Sequence, residues 1–206
     1  MTVSHDRAMT RRGTYPKGVA KREELLNTAL EVIAREGYSR ASLRQLAAAV
    51  ELTQTGLLHH FESKEALFIE VLRRRDSAAE KLYRQALDED PTLDFAEMLA
   101  EGVTGNTDVA GLMQLYARLA AEATEPDHPA REFFQNRRRA LVAAYSEQIH
   151  GLQEADAVPT QHDPTMLALL TAALMDGLQS AWLVDPDIDM AAAMRAFWAL
   201  VECRPE

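Results

Sequence analysis

Residues 42–61 read SLRQLAAAVELTQTGLLHHF, two short helical patterns on either side of a brief break. Ser42 followed three residues later by Gln45 is a capping box, so a helix starts at Leu43 and carries Leu46, Ala47 and Val50 on one face. Thr53 is an N-cap for a second helix that ends near His60. At about 100° per residue, Leu57, Leu58 and Phe61 fall in one sector of that helix, while Thr55, Gly56, His59 and His60 occupy the rest. Only one side is glued down. The other holds no Lys or Glu from 54 to 60, so it is small and hydrogen-bonding rather than charged, which a plain core hairpin does not require. Gln54 falls at the angle of the leucines and reaches outward only because it sits in the first turn.

Helices joined by so short a turn form a helix-turn-helix, whose second helix is used in the major groove of DNA. Gln pairs bidentately with adenine, Thr offers thymine a hydroxyl or a methyl, and Gly lets the backbone come close. Gln54, Thr55, Gly56, His59 and His60 are therefore the candidates to face bases. Ser42 and Thr53 at helix N-termini and Lys64 at the start of the following helix suit phosphates, and Arg44 suits either a guanine edge or a phosphate. The adjacent histidines diverge by about 100° and cannot point at one ion, so no metal is expected.

Outward from this stretch the patterns remain helical. Leu25, Leu26, Ala29, Leu30 and Ile33 mark a helix over about 19–36, stopped by Gly37. Residues 1–16, with Arg7, Arg11, Arg12 and a closing Pro16, read as a flexible basic arm. Ser63 caps a long helix that continues to the Asp-Glu-Asp-Pro break at 88–91. Beyond it no strand or hairpin signal appears, and helices are expected near 92–105, 109–123, 129–155, 164–184 and 187–202. The fold class is all-α, with nine helices.

Composition bounds the function. The single cysteine, Cys203, excludes an intramolecular disulfide framework and a multi-thiolate metal site, as expected in a reducing cytoplasm. Apolar runs such as 166–175 read as too short and too interrupted to span a bilayer, and the basic N-terminus lacks an apolar signal core, so a soluble, cytoplasmic protein is expected. The net charge of −10 is uneven: residues 1–75 hold +4 and residues 76–206 hold −14. That asymmetry fits a chain of which one end meets nucleic acid.

The stretch from about Arg22 to Phe68 resembles the DNA-binding domain of the tetracycline-repressor (TetR) family of bacterial transcriptional regulators. The resemblance is carried by Gly37-Tyr38, Ser42-Leu43, Leu46-Ala47, Leu57, Phe61 and Ser63 to Leu67. Two positions depart from the family pattern: Glu51 stands where the turn usually has Gly, and Leu58 where a Tyr usually touches the phosphate backbone. Both imply weaker non-specific affinity, which the arm can offset in the minor groove. The resemblance implies a head over 17–68 and a ligand-binding and dimerisation domain over 69–206, with the last two long helices pairing with those of a second copy. The apolar circumference of 166–184 and the alanine-rich 190–201 agree, since one chain has little with which to cover both.

On the helices that line the family's cavity lie Met98, Met113, Tyr116, Phe134, Met175 and Trp182, suited to an apolar, adaptable pocket. Asn136, Asp176 and Gln179 are polar residues inside apolar stretches, which need partners if buried. The run Arg137-Arg138-Arg139 reads as a solvated face paired with the acidic surroundings. The expected function is a homodimeric, ligand-responsive regulator, most readily a repressor, that binds a palindromic double-stranded operator and is released by a small-molecule effector. No cofactor is expected. An all-α enzyme would need ionisable clusters on facing helices such as paired Glu-x-x-His, and His128, His150 and His162 are isolated from one another. A partner-binding helical protein with a vestigial head is a third reading, suggested by Glu51 and Leu58.

Overall fold

The computed structural model describes residues 15–36, 43–89 and 93–202. These form nine α-helices and one short 3-10 turn, with no strand among the described residues. In chain order they are α1 (Tyr15–Glu36), α2 (Leu43–Ala49), α3 (Gln54–His59), α4 (Lys64–Glu89), α5 (Phe95–Gly105), the turn Thr107–Val109, α6 (Ala110–Glu122), α7 (Arg131–Glu154), α8 (Pro164–Val184) and α9 (Met190–Glu202). The all-α class and the order of helices are as expected, and the differences are at the ends. α1 begins at Tyr15, so Pro16 does not close an arm but lies in the first turn, where a missing N–H costs nothing. α5 starts later than expected because Asp94 caps it, accepting from the Glu97 N–H at 2.9 Å. Asp163 similarly accepts from the Thr165 N–H at 2.8 Å ahead of Pro164. Most of the basic arm, Gly37, Tyr38, Ser42 and Cys203 lie outside the described residues.

The head is α1 to α3 with the first turns of α4. Leu25, Ile33, Leu46, Leu57, Leu67, Phe68 and Leu72 are buried together, and burying each such side chain contributes roughly 1.5–3 kcal/mol. The same core continues into Leu112, Met113, Leu115 and Leu119 of α6 and Phe133 of α7. Packing therefore runs across the expected boundary at 68, and α6 is the surface on which the head rests. Arg22 adds to the joint, pairing with Glu70 at 3.4 Å while its guanidinium lies 5.0 Å from the Phe61 ring. Arg74 of α4 pairs with Glu23 of α1.

A second core joins Phe95, Leu99 and Val103 of α5, Ile149 of α7, Leu167 and Ala168 of α8, and Met194 and Trp198 of α9. α7 lies along α8, and α5 along α9. α4 links the two regions but is poorly covered: residues 77–82 on it are all exposed. One wide helix thus carries the head at one end and meets the second core only at the other.

Candidate functional site

The turn before α3 is built on strain. Leu52 N–H donates to the Ala47 carbonyl at 2.8 Å, closing α2 with the wrap usually made by a left-handed glycine, and Glu51 occupies that position at φ 58°. Thr53 is extended at φ −80°, ψ 160°, and its hydroxyl accepts from the Gly56 N–H at 3.0 Å. A Cβ on Gly56 would stand 3.3 Å from that hydroxyl, so glycine there protects the cap as well as leaving the backbone accessible.

With the cap fixed, the faces of α3 sort themselves. Leu57 and Phe61 are buried and Leu58 is half-buried, whereas Gln54, Thr55 and His59 are exposed. Gly56 and His60 are half-buried, and Arg44 on α2 is exposed. The His59 and His60 rings meet edge-on at 6.0 Å. Ser63 accepts from the Ala66 N–H at 3.0 Å and starts α4, where the Lys64 ammonium stands 5.3 Å from the Phe68 ring centre. Among the described residues no group of three His, Cys, Asp or Glu is placed to hold a metal ion.

Behind the head, α4, α6, α7 and α8 are joined by a polar network. Arg137 Nε donates to Asp76 Oδ2 at 2.8 Å and its Nη1 to the Tyr116 hydroxyl at 3.2 Å. Tyr116 donates in turn to Asp176 Oδ1 at 3.1 Å, and Asp176 also pairs with Arg138. Burial, opposed by Arg137, pushes the Tyr116 phenol up to about 12, which keeps it protonated as that donor. Arg75 donates to Asn106 Oδ1 at 2.7 Å, and burial pulls its guanidinium down from its usual value. The reading of Arg137-Arg138-Arg139 is thereby corrected in part: Arg137 and Arg138 do pair with acidic residues, Asp76 and Asp176, but they are part-buried, and only Arg139 is exposed.

The expected effector residues are spread over this region. Met113 is buried beside Arg75, and Tyr116 and Phe134 meet edge-to-face at 5.2 Å. Met175 accepts from the Tyr145 hydroxyl at 3.4 Å, Gln179 is buried, and Trp182 is half-buried against the second core. Asn136 differs from the expectation of an inward polar group, being exposed and accepting from Arg139 at 3.0 Å. Met98 alone of the nine lines a recess of about 240 Å³ between α4, α5 and α7, whose wall also includes Tyr83 and Glu147. Sequence reasoning missed both; the only signal was their place at helical spacing facing apolar neighbours.

A short strained turn, a capped recognition helix with its polar side outward and an all-helical body define a helix-turn-helix DNA-binding regulator. Residues 25–71 match the sequence model of the bacterial regulatory proteins of the tetR family. Over that stretch the chain is similar to this family, and the relatives it resembles are transcriptional regulators, not enzymes. It is 26% identical over 171 residues to the HTH-type transcriptional repressor KstR2 of Rhodococcus jostii (strain RHA1), covering 83% of this chain and 72% of that one. The similarity to the regulator RutR of Escherichia coli (strain K12), 40% over 55 residues, spans only about a quarter of each chain, 27% and 26%. In fold, a TetR-family transcriptional regulator from Pectobacterium atrosepticum superposes with a TM-score of 0.72 at 22% identity, over 94% of this chain and all of that one.

Proposed function

We propose that the chain is a cytoplasmic homodimeric repressor that binds a palindromic operator through α3 and lets go when a small molecule occupies its helical body. The observation that carries the operator reading is the exposure of Gln54, Thr55 and His59 on a helix pinned by Leu57 and Phe61. In this reading those three, with Gly56 and His60, meet base edges, while Arg44, Thr53, Ser42 and Lys64 hold phosphates or a guanine.

Dimerisation is supported by α8. It is long and apolar enough by length and composition to cross a membrane, unlike the sequence expectation, yet it packs on α6, α7 and α9 and its Asp176 is ion-paired. Its outer stripe, Met166, Leu169, Leu170 and Val184, is exposed, beside Leu200 of α9. Such a stripe marks a partner surface, and an isologous pairing of two copies sets the heads about one DNA turn apart. Effector release follows from geometry: α4 carries the head, and the Asp76–Arg137 pair ties it to α7. Whatever shifts α4 against α7 changes the spacing of the heads.

Selection of bound duplexes from random DNA tests the reading. A palindromic consensus bound by two chains is the expected result; a steeply salt-dependent affinity with no preferred sequence would contradict it.

A further inference from the structure

The recess between α4, α5 and α7 has a chemistry of its own. Leu87, Leu93, Phe95, Met98 and Leu152 make the apolar part of its wall, and its volume is about 240 Å³. Of its nine lining residues only Glu147 has a carboxyl group, none has a cationic side chain, and no hydrogen bond or ion pair of the Glu147 side chain is found among the described residues. Tyr83 lines the same recess, and its hydroxyl is buried with no hydrogen-bond partner. Burial first, and the Glu147 charge second, push that phenol up, so it stays neutral and able to accept. Residues 76–206 carry −14 in all, a field that draws cations.

We propose that this recess takes a small primary alkylammonium, its chain among Leu87, Met98 and Leu152 and its ammonium against Glu147. The inference deepens the effector-responsive reading above and rests on it. A carboxylate in the same place would face Glu147 with no cation on the wall, and an alcohol would leave the carboxylate without a counter-charge. The occupant would act on α4 directly, because α4 is the one wall that also bears the head and the stretch 77–82 has little packing to hold it. A filled recess adds apolar contact between Leu87 of α4 and Leu152 of α7, and so favours one position of α4 over others.

Calorimetric titration of the full chain with n-hexylammonium, 1-hexanol and hexanoate tests the proposal, since the three share a chain and differ in head group. Hexylammonium should bind about fivefold tighter than hexanol and at least about tenfold tighter than hexanoate, the range of a half-exposed ion pair and its reversal. Glu147→Gln, an exposed change that leaves the core intact, should bring hexylammonium to within about twofold of hexanol. Equal or better binding of hexanoate, a preference that survives Glu147→Gln, or no binding of any of the three overturns the proposal. Duplex selection with the same preparation separates the causes: a consensus without ammonium binding refutes the ligand class alone, whereas the lack of a consensus refutes the regulator reading.

Discussion

Glu51 shows how much one residue can decide. At φ 58° it occupies a conformation that costs an L side chain roughly 1–2 kcal/mol, and it places a carboxylate in the turn between α2 and α3. Glu51→Gly should relieve the strain, partly offset by the freedom glycine gains when unfolded, for a net stabilisation of about 0.5 kcal/mol. It also removes an anion beside the proposed DNA surface, so affinity for duplexes of any sequence should rise. Denaturant midpoints and binding to random duplex check both parts, and a lower midpoint would show that the turn is not strained. At this scale the sequence was readable wherever the cause is local. The caps at Thr53 and Ser63 and the left-handed turn at Glu51 each depend on residues within four positions. Arg137 was misread because its partner Asp76 lies 61 positions away and a run of three arginines has no periodicity to show which ones turn inward.

Among elements, the network joining α4, α6, α7 and α8 is the feature that most affects stability outside the apolar cores. Asp76→Ala leaves the Arg137 guanidinium part-buried with its main counter-charge gone, and should cost about 2 kcal/mol, less than a fully buried pair because both side chains keep some solvent. Asp76→Leu combined with Arg137→Met should recover much of that loss; denaturant unfolding of the three variants decides it. Tyr116 gives the network a pH signature. Its folded value near 12 lies above the unfolded value near 10, so the folded chain holds a proton the unfolded chain gives up. The associated stability, about 2–3 kcal/mol at most, is fully present below about pH 10 and lost as pH rises towards 12. Denaturant midpoints taken from pH 8 upward should fall only beyond about 10, and a flat profile would contradict the burial of this phenol. Helix existence and order were legible because amphipathic spacing repeats over many turns. The effector region was not, since buried Met and aromatic side chains serve a core and a pocket equally well, and only Met98 of the nine candidates lies on the recess.

For the whole molecule, the apolar outer stripe of α8 is the surface that one copy leaves uncovered. Leu169→Glu with Leu170→Glu should shift the chain from dimer to monomer in sedimentation while leaving its helix content unchanged, because both side chains are already exposed. The loss of operator affinity should exceed any loss on random duplex, since only the former needs two heads in register. A dimer that persists through this double change would place the interface elsewhere. The claim on which the rest depends is that α3 reads bases with its outer side, and parallel duplex selections by the wild type, Thr55→Ala, Gln54→Ala and Lys64→Ala test it most directly. The account predicts a symmetric consensus for the wild type, relaxed preference at particular positions in the first two variants, and an unchanged consensus with uniformly weaker binding for Lys64→Ala. Uniform weakening by all three substitutions, with every position of the consensus intact, would contradict it.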